Sequence, residues 1–364
     1  MKRYLIFILL AVQAGISAFA QQDLQPAANV QMTRSEVITV KQLKDELKKE
    51  VWVQLIQSLR RVPTDAELNR GVQMATMEAR KNTLDLMVNE KLALQAAEKE
   101  RITISDGELN QQINQMKAQI AQSLGRQPTD EEFAQVIKNE SGMELPAFRD
   151  NLRRQAIVQK YMMAKKEDQF KNIQQPTERE ITSFFNMNKA QFVRPDTIGF
   201  SMIEVLYGPD AASKAKAKEL AERLNREIGQ NPTKFDEAAE RSNAPNSGYA
   251  GGPAGYLPKT DEVKQVTGAE FMEVAFSLKQ GQVSKLIEGV AGYQIVKITE
   301  IYEIKILGID DIIQPGTRTT VRQAITSRLM QEKQYNTLAK VTNELANELR
   351  AAGTVRVMEN NLNW

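Results

Sequence analysis

The side chains that carry most enzyme chemistry are absent: the 364-residue chain has no cysteine and no histidine. Thiolate nucleophiles, imidazole bases, disulfides, Cys/His zinc sites and His-ligated haem are therefore excluded. Among what remains, the adjacent carboxylates Asp310 and Asp311 have the type for a divalent cation or an acid–base pair. No further ligands follow at a known spacing, so they read as a solvated loop or a helix cap. The fourteen methionines, among them Met74, Met77, Met162 and Met163, have the adaptable side chain that binders of many partners use. At helical spacing the same residues also serve as core. Trp52 and Trp364 are isolated, and Trp52 reads as a helix anchor. No cofactor and no metal is expected.

Composition bounds what must position any site. With 41% hydrophobic, 6% aromatic and 26% charged residues, the chain has enough apolar material for packed cores and length for two or three domains. Its first twenty residues read as an export signal, with Lys2 and Arg3 leading, an apolar run from Tyr4 to Val12, and Ala18-Phe19-Ala20 before a cleavage point at Ala20/Gln21. The run is shorter than the roughly 20 residues a membrane helix needs, so no stable span is expected once it is removed. That segment holds two basic and no acidic residues, which leaves 46 basic against 46 acidic residues in the remainder. A chain without net positive charge or a Lys/Arg block lacks the footprint of a nucleic-acid binder. The expected location is periplasmic or otherwise exported.

Residues 40 to about 170 read as successive helices, with apolar stripes Leu84, Met87, Val88, Leu92 and Leu109, Ile113, Met116, Ile120, Leu124. Capping boxes mark helix starts at Thr64–Glu67, Ser105–Glu108, Thr129–Glu132 and Thr177–Glu180. The texture changes near Phe192-Val193-Arg194-Pro195. A strand then runs from Thr197 to Tyr207 with Ile198, Phe200 and Met202 on one face and Ile203, Val205 and Tyr207 on the other. A helix follows from about Ala211 to Ile228, then a short helical piece near Phe235 to Arg241. Next come a loop dense in Gly, Asn, Ser and Pro over residues 242–258, a helix near Phe271 to Leu278, and apolar strands from Val283 to about Leu307. A long helical pattern returns from Thr320 to Ala352, with Val321, Ile325, Leu329, Leu338, Val341, Leu345 and Leu349 in register. One apolar stripe of that length must pack on something. Packing back onto the N-terminal helices is the economical solution, and a homodimeric coiled coil is the alternative.

Several ordered segments resemble the parvulin family of peptidyl-prolyl isomerases. They are Phe200-Ser201-Met202-Ile203-Glu204-Val205, Phe235 through Ser242, Gly251-Gly252-Pro253-Ala254-Gly255-Tyr256-Leu257-Pro258, Glu270 through Leu278, Gly281-Gln282-Val283-Ser284 and Gly292-Tyr293-Gln294-Ile295-Val296-Lys297. With its flanking export signal, the segment Glu36-Val37-Ile38-Thr39-Val40, N-terminal helices and closing helix, the chain resembles the SurA and PrsA class of exported folding factors. The resemblance implies an α+β fold: a mainly helical chaperone body made from N- and C-terminal segments, with an inserted parvulin-like α+β domain. The expected divisions are a signal at 1–20, an N-terminal helical domain at 21–175, a linker helix at 176–195, the parvulin-like domain at 196–303, and a C-terminal segment at 304–364 whose long helix packs on the N-terminal domain. Residues 51–80 have no counterpart in the resemblance.

The resemblance also implies site positions, and most have changed type. Histidines are usual where this chain has Met202 and Gln294. The polar positions after the helix turn fall on Asn243 and Ala244, the pocket methionine falls on Thr267, and Phe271 keeps its type. Met202, Phe271, Phe276 and Gln294 are the residues expected to line an apolar peptide-binding site. The expected function is an exported, ATP-independent chaperone. It binds unfolded or nascent exported polypeptides, outer-membrane proteins among the candidate clients, in a cradle between body and insert. Its parvulin domain is expected to be weak or inactive. The rivals are an active peptidyl-prolyl isomerase and a structural docking protein of an envelope assembly.

Overall fold

All four helix starts read from the sequence carry complete capping boxes: the Thr or Ser hydroxyl accepts the amide three residues on, and the glutamate there accepts the cap's own amide. A fifth box, Thr39 with Gln42, opens the helix Val40–Leu59. The computed structural model describes residues 22–364, so the export-signal reading of residues 1–20 lies outside the described residues. The chain divides into two units: one contains the described residues up to Ile173 together with Gln334–Trp364, the other Gln174–Lys333.

In the first unit a hairpin of β1 (Pro26–Gln31) and β2 (Ser35–Thr39) is extended by β9 (Thr354–Val357) in an antiparallel sheet of order β2-β1-β9. Ala27, Ala28 and Val30 of the central strand are fully buried. They pack with Leu43 and Leu47 of Val40–Leu59, Leu84, Val88 and Leu92 of the helix Met77–Lys99, and Leu345 and Leu349 near the end of the helix Val321–Ala352. The turn of the hairpin is held by one side chain, the fully buried Gln95. Its Oε1 accepts from the amides of Met32, Thr33 and Arg34 at 2.9, 3.0 and 3.3 Å, and its Nε2 donates to Glu36 Oε1 at 2.9 Å. Burial pushes the Glu36 carboxyl up, but the hydrogen bonds from Lys91 and Gln95 outweigh it, and the group ends below the usual carboxylate range.

Residues 51–80, unplaced by the resemblance, are integral to this unit. Leu68 and Val72 of the helix Asp65–Gln73 enter the core. Trp52 is the anchor the sequence suggested: its Nε1 donates to Asn139 O at 3.0 Å and its ring covers Gly142, where a Cβ would lie 2.6 Å from the indole. Arg80, 7% exposed, donates to Leu362 O at 2.8 Å and to Gln73 O at 3.1 Å, with the Trp364 ring 3.7 Å from its guanidinium. The methionines divide: Met77 and Met162 pack against the core, while Met74 and Met163 are exposed. A satellite cluster of Leu109, Ile113, Phe133 and Ile137 joins the helices Asp106–Leu124 and Asp130–Ser141.

In the second unit, β4 (Thr197–Leu206) and β7 (Gly292–Tyr302) are central. β5 (Ala250–Pro258) and the short β6 (Ile287–Glu288) flank them in an antiparallel sheet of order β5-β4-β7-β6. The stretch read as a loop over 242–258 thus ends in an edge strand, a position that tolerates Pro253 and the glycines. The helices Ala211–Ile228 and Pro232–Arg241 cover one face of the sheet, and the helix Ala269–Ser277 covers the other. A two-stranded ribbon of β3 (Val193–Arg194) and β8 (Lys305–Ile306) stands beside it. The helix Glu178–Met187 buries Ile181 and Phe185 against Leu307, Val321 and Ile325. Val321–Ala352 therefore buries its first turns in the second unit and its last turns in the first. Asp310 pairs with Arg322 at 2.8 Å, and Asp311 pairs with Lys305 at 2.9 Å while accepting the Gly308 amide, which makes Asp311 a loop cap and Asp310 a surface ion pair.

Two predictions follow from these hydrogen bonds. Replacing Gln95 by Leu removes the acceptor of three amides and the donor to Glu36, and is expected to lower unfolding stability by about 2–4 kcal/mol. Urea denaturation measures this, and a loss below about 1 kcal/mol would show that the turn is held by other means. The capping glutamates Glu67, Glu108, Glu132 and Glu180 are all held down to about 2, chiefly by Arg61, Lys160, Arg126 and Lys333 and then by the cap amides. A depressed folded-state value means their stabilisation is complete above the ordinary value of 4.5 and is lost as pH falls from there toward 2. Thermal melts from pH 7 to 2.5 should show a decline concentrated below 4.5 that Glu132→Gln makes shallower. A flat profile contradicts it.

Candidate functional site

Side chains alternate across a strand, so the even-numbered residues of β4 share one face. Ile198, Phe200 and Met202 join Phe271 and Val296 in the apolar cluster on that face, and Ile203 and Val205 enter the opposite cluster, as the sequence pattern predicted. The next even residue, Glu204, stands directly across from Gln294 of β7. These side chains open onto a cavity of about 250 Å³ lined by Phe200, Met202, Glu204, Val266, Thr267, Phe271, Val290, Ala291 and Gln294.

Each wall has a local cause. Phe271, 4% exposed, is brought in by the helix Ala269–Ser277 and meets Phe200 edge-on with ring centroids 6.0 Å apart. The preceding helix, Asp261–Thr267, ends at Gly268 with φ +92°, a conformation glycine adopts without strain, and this turn sets Val266 and Thr267 on the rim. The Thr267 hydroxyl donates to Val263 O at 2.9 Å within its own helix. Opposite, the turn Gly289–Gly292 carries Val290; Val266 and Val290 are 78% and 75% exposed, so the rim is apolar and open. Gln294 donates from Nε2 to Glu204 Oε1 at 2.9 Å. Its own Oε1 is buried without a partner among the described residues, and a Cβ on Gly289 would lie 2.8 Å from that oxygen.

The cavity gathers Met202, Thr267, Phe271 and Gln294 from the positions singled out in the sequence. Asn243 and Ala244 are not among its lining residues: they lie exposed in the turn after Pro232–Arg241, a helix whose Phe235 and Ala238 pack into the cluster on the other face. Phe276 also lies apart. It packs on the shared cluster from the far end of its helix and faces a second cavity, of about 750 Å³, beside Met272 and Lys259, whose Nζ is 5.3 Å from its ring. Sequence reading passed over Glu204, although counting in twos from Met202 along β4 reaches it.

Residues 200–300, which span β4 to β7 and enclose the cavity, match the family model described as the PPIC-type PPIASE domain, or rotamase. Residues 3–162 match that of the SurA-like N-terminal domain. The chain joins a SurA-like N-terminal domain to a PPIC-type parvulin domain. Similar curated proteins include PrsA foldases and SurA chaperones. The foldase protein PrsA of Clostridium botulinum is 24% identical over 290 residues, 78% of this chain and 75% of its own length. The chaperone SurA of Alcanivorax borkumensis is 29% identical over 231 residues, 61% of this chain and 47% of its own. Among solved structures, a SurA-like chaperone of Campylobacter jejuni aligns over 92% of this chain and 98% of its own at 14% identity, with a TM-score of 0.33, too low to carry an argument. Among the described residues no helix is long and apolar enough to cross a membrane, and no group of three or more carboxylates gathers to hold a metal.

The unpartnered Gln294 oxygen has a measurable cost. A buried acceptor without a donor is destabilising, whereas an apolar side chain of similar shape is neutral or better. Because Gln294 also donates to Glu204, both partners must be replaced together: the double variant Glu204→Met, Gln294→Met is expected to leave stability unchanged or raise it by about 1 kcal/mol in urea denaturation. A loss of about 2 kcal/mol or more would mean that the pair holds the sheet together.

Proposed function

We propose that this chain is an exported, ATP-independent chaperone that binds unfolded or newly translocated polypeptides. Its PPIC-type domain holds extended apolar peptide without catalysing prolyl rotation. The observation that carries the reading is the make-up of the cavity: an apolar floor of Phe200, Met202 and Phe271, an exposed valine rim, and side-chain donors turned to partners within the protein. Rotation about a prolyl bond meets a barrier of about 18–20 kcal/mol, and a site lowers it by aiming donors at the twisted amide more favourably than at the planar one. Met202 has no donor, the Thr267 hydroxyl is spent on Val263 O, and Gln294 Nε2 is turned to Glu204. The apolar surface that remains can hold a side chain by burial, an equilibrium that needs no nucleotide.

Export is supported by the basic and apolar start of the chain and its Ala18-Phe19-Ala20 tripeptide. The exposed Met74 and Met163 add adaptable apolar surface on the helical unit, which suits clients of varied sequence.

Two assays on the full chain without its first twenty residues test this. In a proline-limited refolding reaction the protein is expected to leave the slow rate unchanged, and in a thermal aggregation assay it is expected to suppress client light scattering without ATP. Phe271→Ala should weaken binding of an apolar peptide about tenfold or more while the helical unit stays folded. Acceleration of the slow phase that Gln294→Ala abolishes would make the chain a working isomerase, with the Gln294–Glu204 pair as its polar network.

A further inference from the structure

The charged residue of the cavity has no charged partner. Of the nine residues that line it, Glu204 alone is ionisable. It accepts one hydrogen bond, from Gln294 Nε2, and forms no ion pair among the described residues. Two other carboxylates on or against this sheet have cations, Asp236 with Lys297 at 2.7 Å and Glu288 with Lys214 at 3.7 Å, while Glu300 is held by the hydroxyls of Tyr256 and Tyr302. A half-buried carboxylate beside apolar walls costs desolvation that a single neutral amide offsets in part, and a cation brought against it would offset more. The walls are also shaped for a cation on an aliphatic stem. Methylene groups can lie along Val266 and Val290 while the charged head reaches Glu204. At about 250 Å³ the cavity is smaller than a site for a drug-sized ligand and suits one or two side chains.

We infer that the cavity selects client segments in which a lysine or arginine stands next to an apolar residue, the apolar side chain resting on Phe271 and Met202 and the cation on Glu204. This rests on the peptide-holding reading above and names its specificity. Glu204 is the specificity-determining residue, and Gln294 positions its carboxylate through the 2.9 Å hydrogen bond.

Fluorescence anisotropy with three labelled peptides tests it. They share one apolar core and differ in the flanking residue, which is lysine, norleucine or glutamate. Wild-type protein is expected to bind the lysine peptide about fivefold tighter than the norleucine peptide at low ionic strength, with the preference shrinking at high salt. Glu204→Gln should bring the lysine and norleucine affinities together, and Glu204→Lys should turn the preference toward the glutamate peptide. Circular dichroism of each variant establishes that it is folded. Equal binding of all three peptides by wild type, with Phe271→Ala weakening every one, would overturn the charge selection and leave peptide holding intact. Binding of none of them by folded wild-type protein would overturn peptide holding at this cavity, and the selection with it.

Discussion

A buried backbone amide or carbonyl that finds no partner in another backbone group must be met by a side chain or by water. Three places in the first unit show how the demand is satisfied. Gln95 takes the three amides of the hairpin turn, Arg80 donates to the carbonyls of Gln73 and Leu362, and Trp52 donates to the carbonyl of Asn139. In each, a long side chain fixed on a helix reaches a segment with no regular partner. The capping boxes do the same work locally, one turn at a time.

Local devices were legible in the sequence and long-range ones were not. A hydroxyl and a glutamate three residues apart satisfy each other without help, so four boxes could be read from spacing alone. The box at Thr39 was passed over because its third residue is Gln42, which makes the same bond without a charge. Gln95 gave no signal: its acceptor role depends on residues 61 to 63 positions away, and a glutamine on a helix otherwise reads as a solvated position. In the second unit the alternation along β4 gave both faces. Whether Asn243 and Phe276 shared a cavity with Gln294 depended on how far each helix runs past the sheet, which periodicity does not encode.

The cavity sets an apolar floor against a sparse polar content. Phe200 and Phe271 meet edge-on, and the glycine turns set the rim. Besides the Thr267 hydroxyl, the polar content is one amide facing one carboxylate, with an amide oxygen left over. Sites that break the rule of satisfied buried polar groups are where function is sought first.

The placement of β9 fixes an order of events in time. Thr354 pairs with Gln31 across 323 residues, and between them lies the whole of Gln174–Lys333, a unit continuous in sequence. Closing a loop costs only about 0.6 kcal/mol more for each doubling of its length, so the distance is a small thermodynamic burden. It is a large kinetic one, because the contact cannot form until the last strand has been made and delivered. A chain emerging from its amino end can therefore complete the parvulin-type unit while the SurA-like unit still waits for its third strand, with the edge of β1 left open until then. For that interval this chain is itself a partly folded polypeptide with an unpaired strand, in the condition of the clients it is proposed to hold.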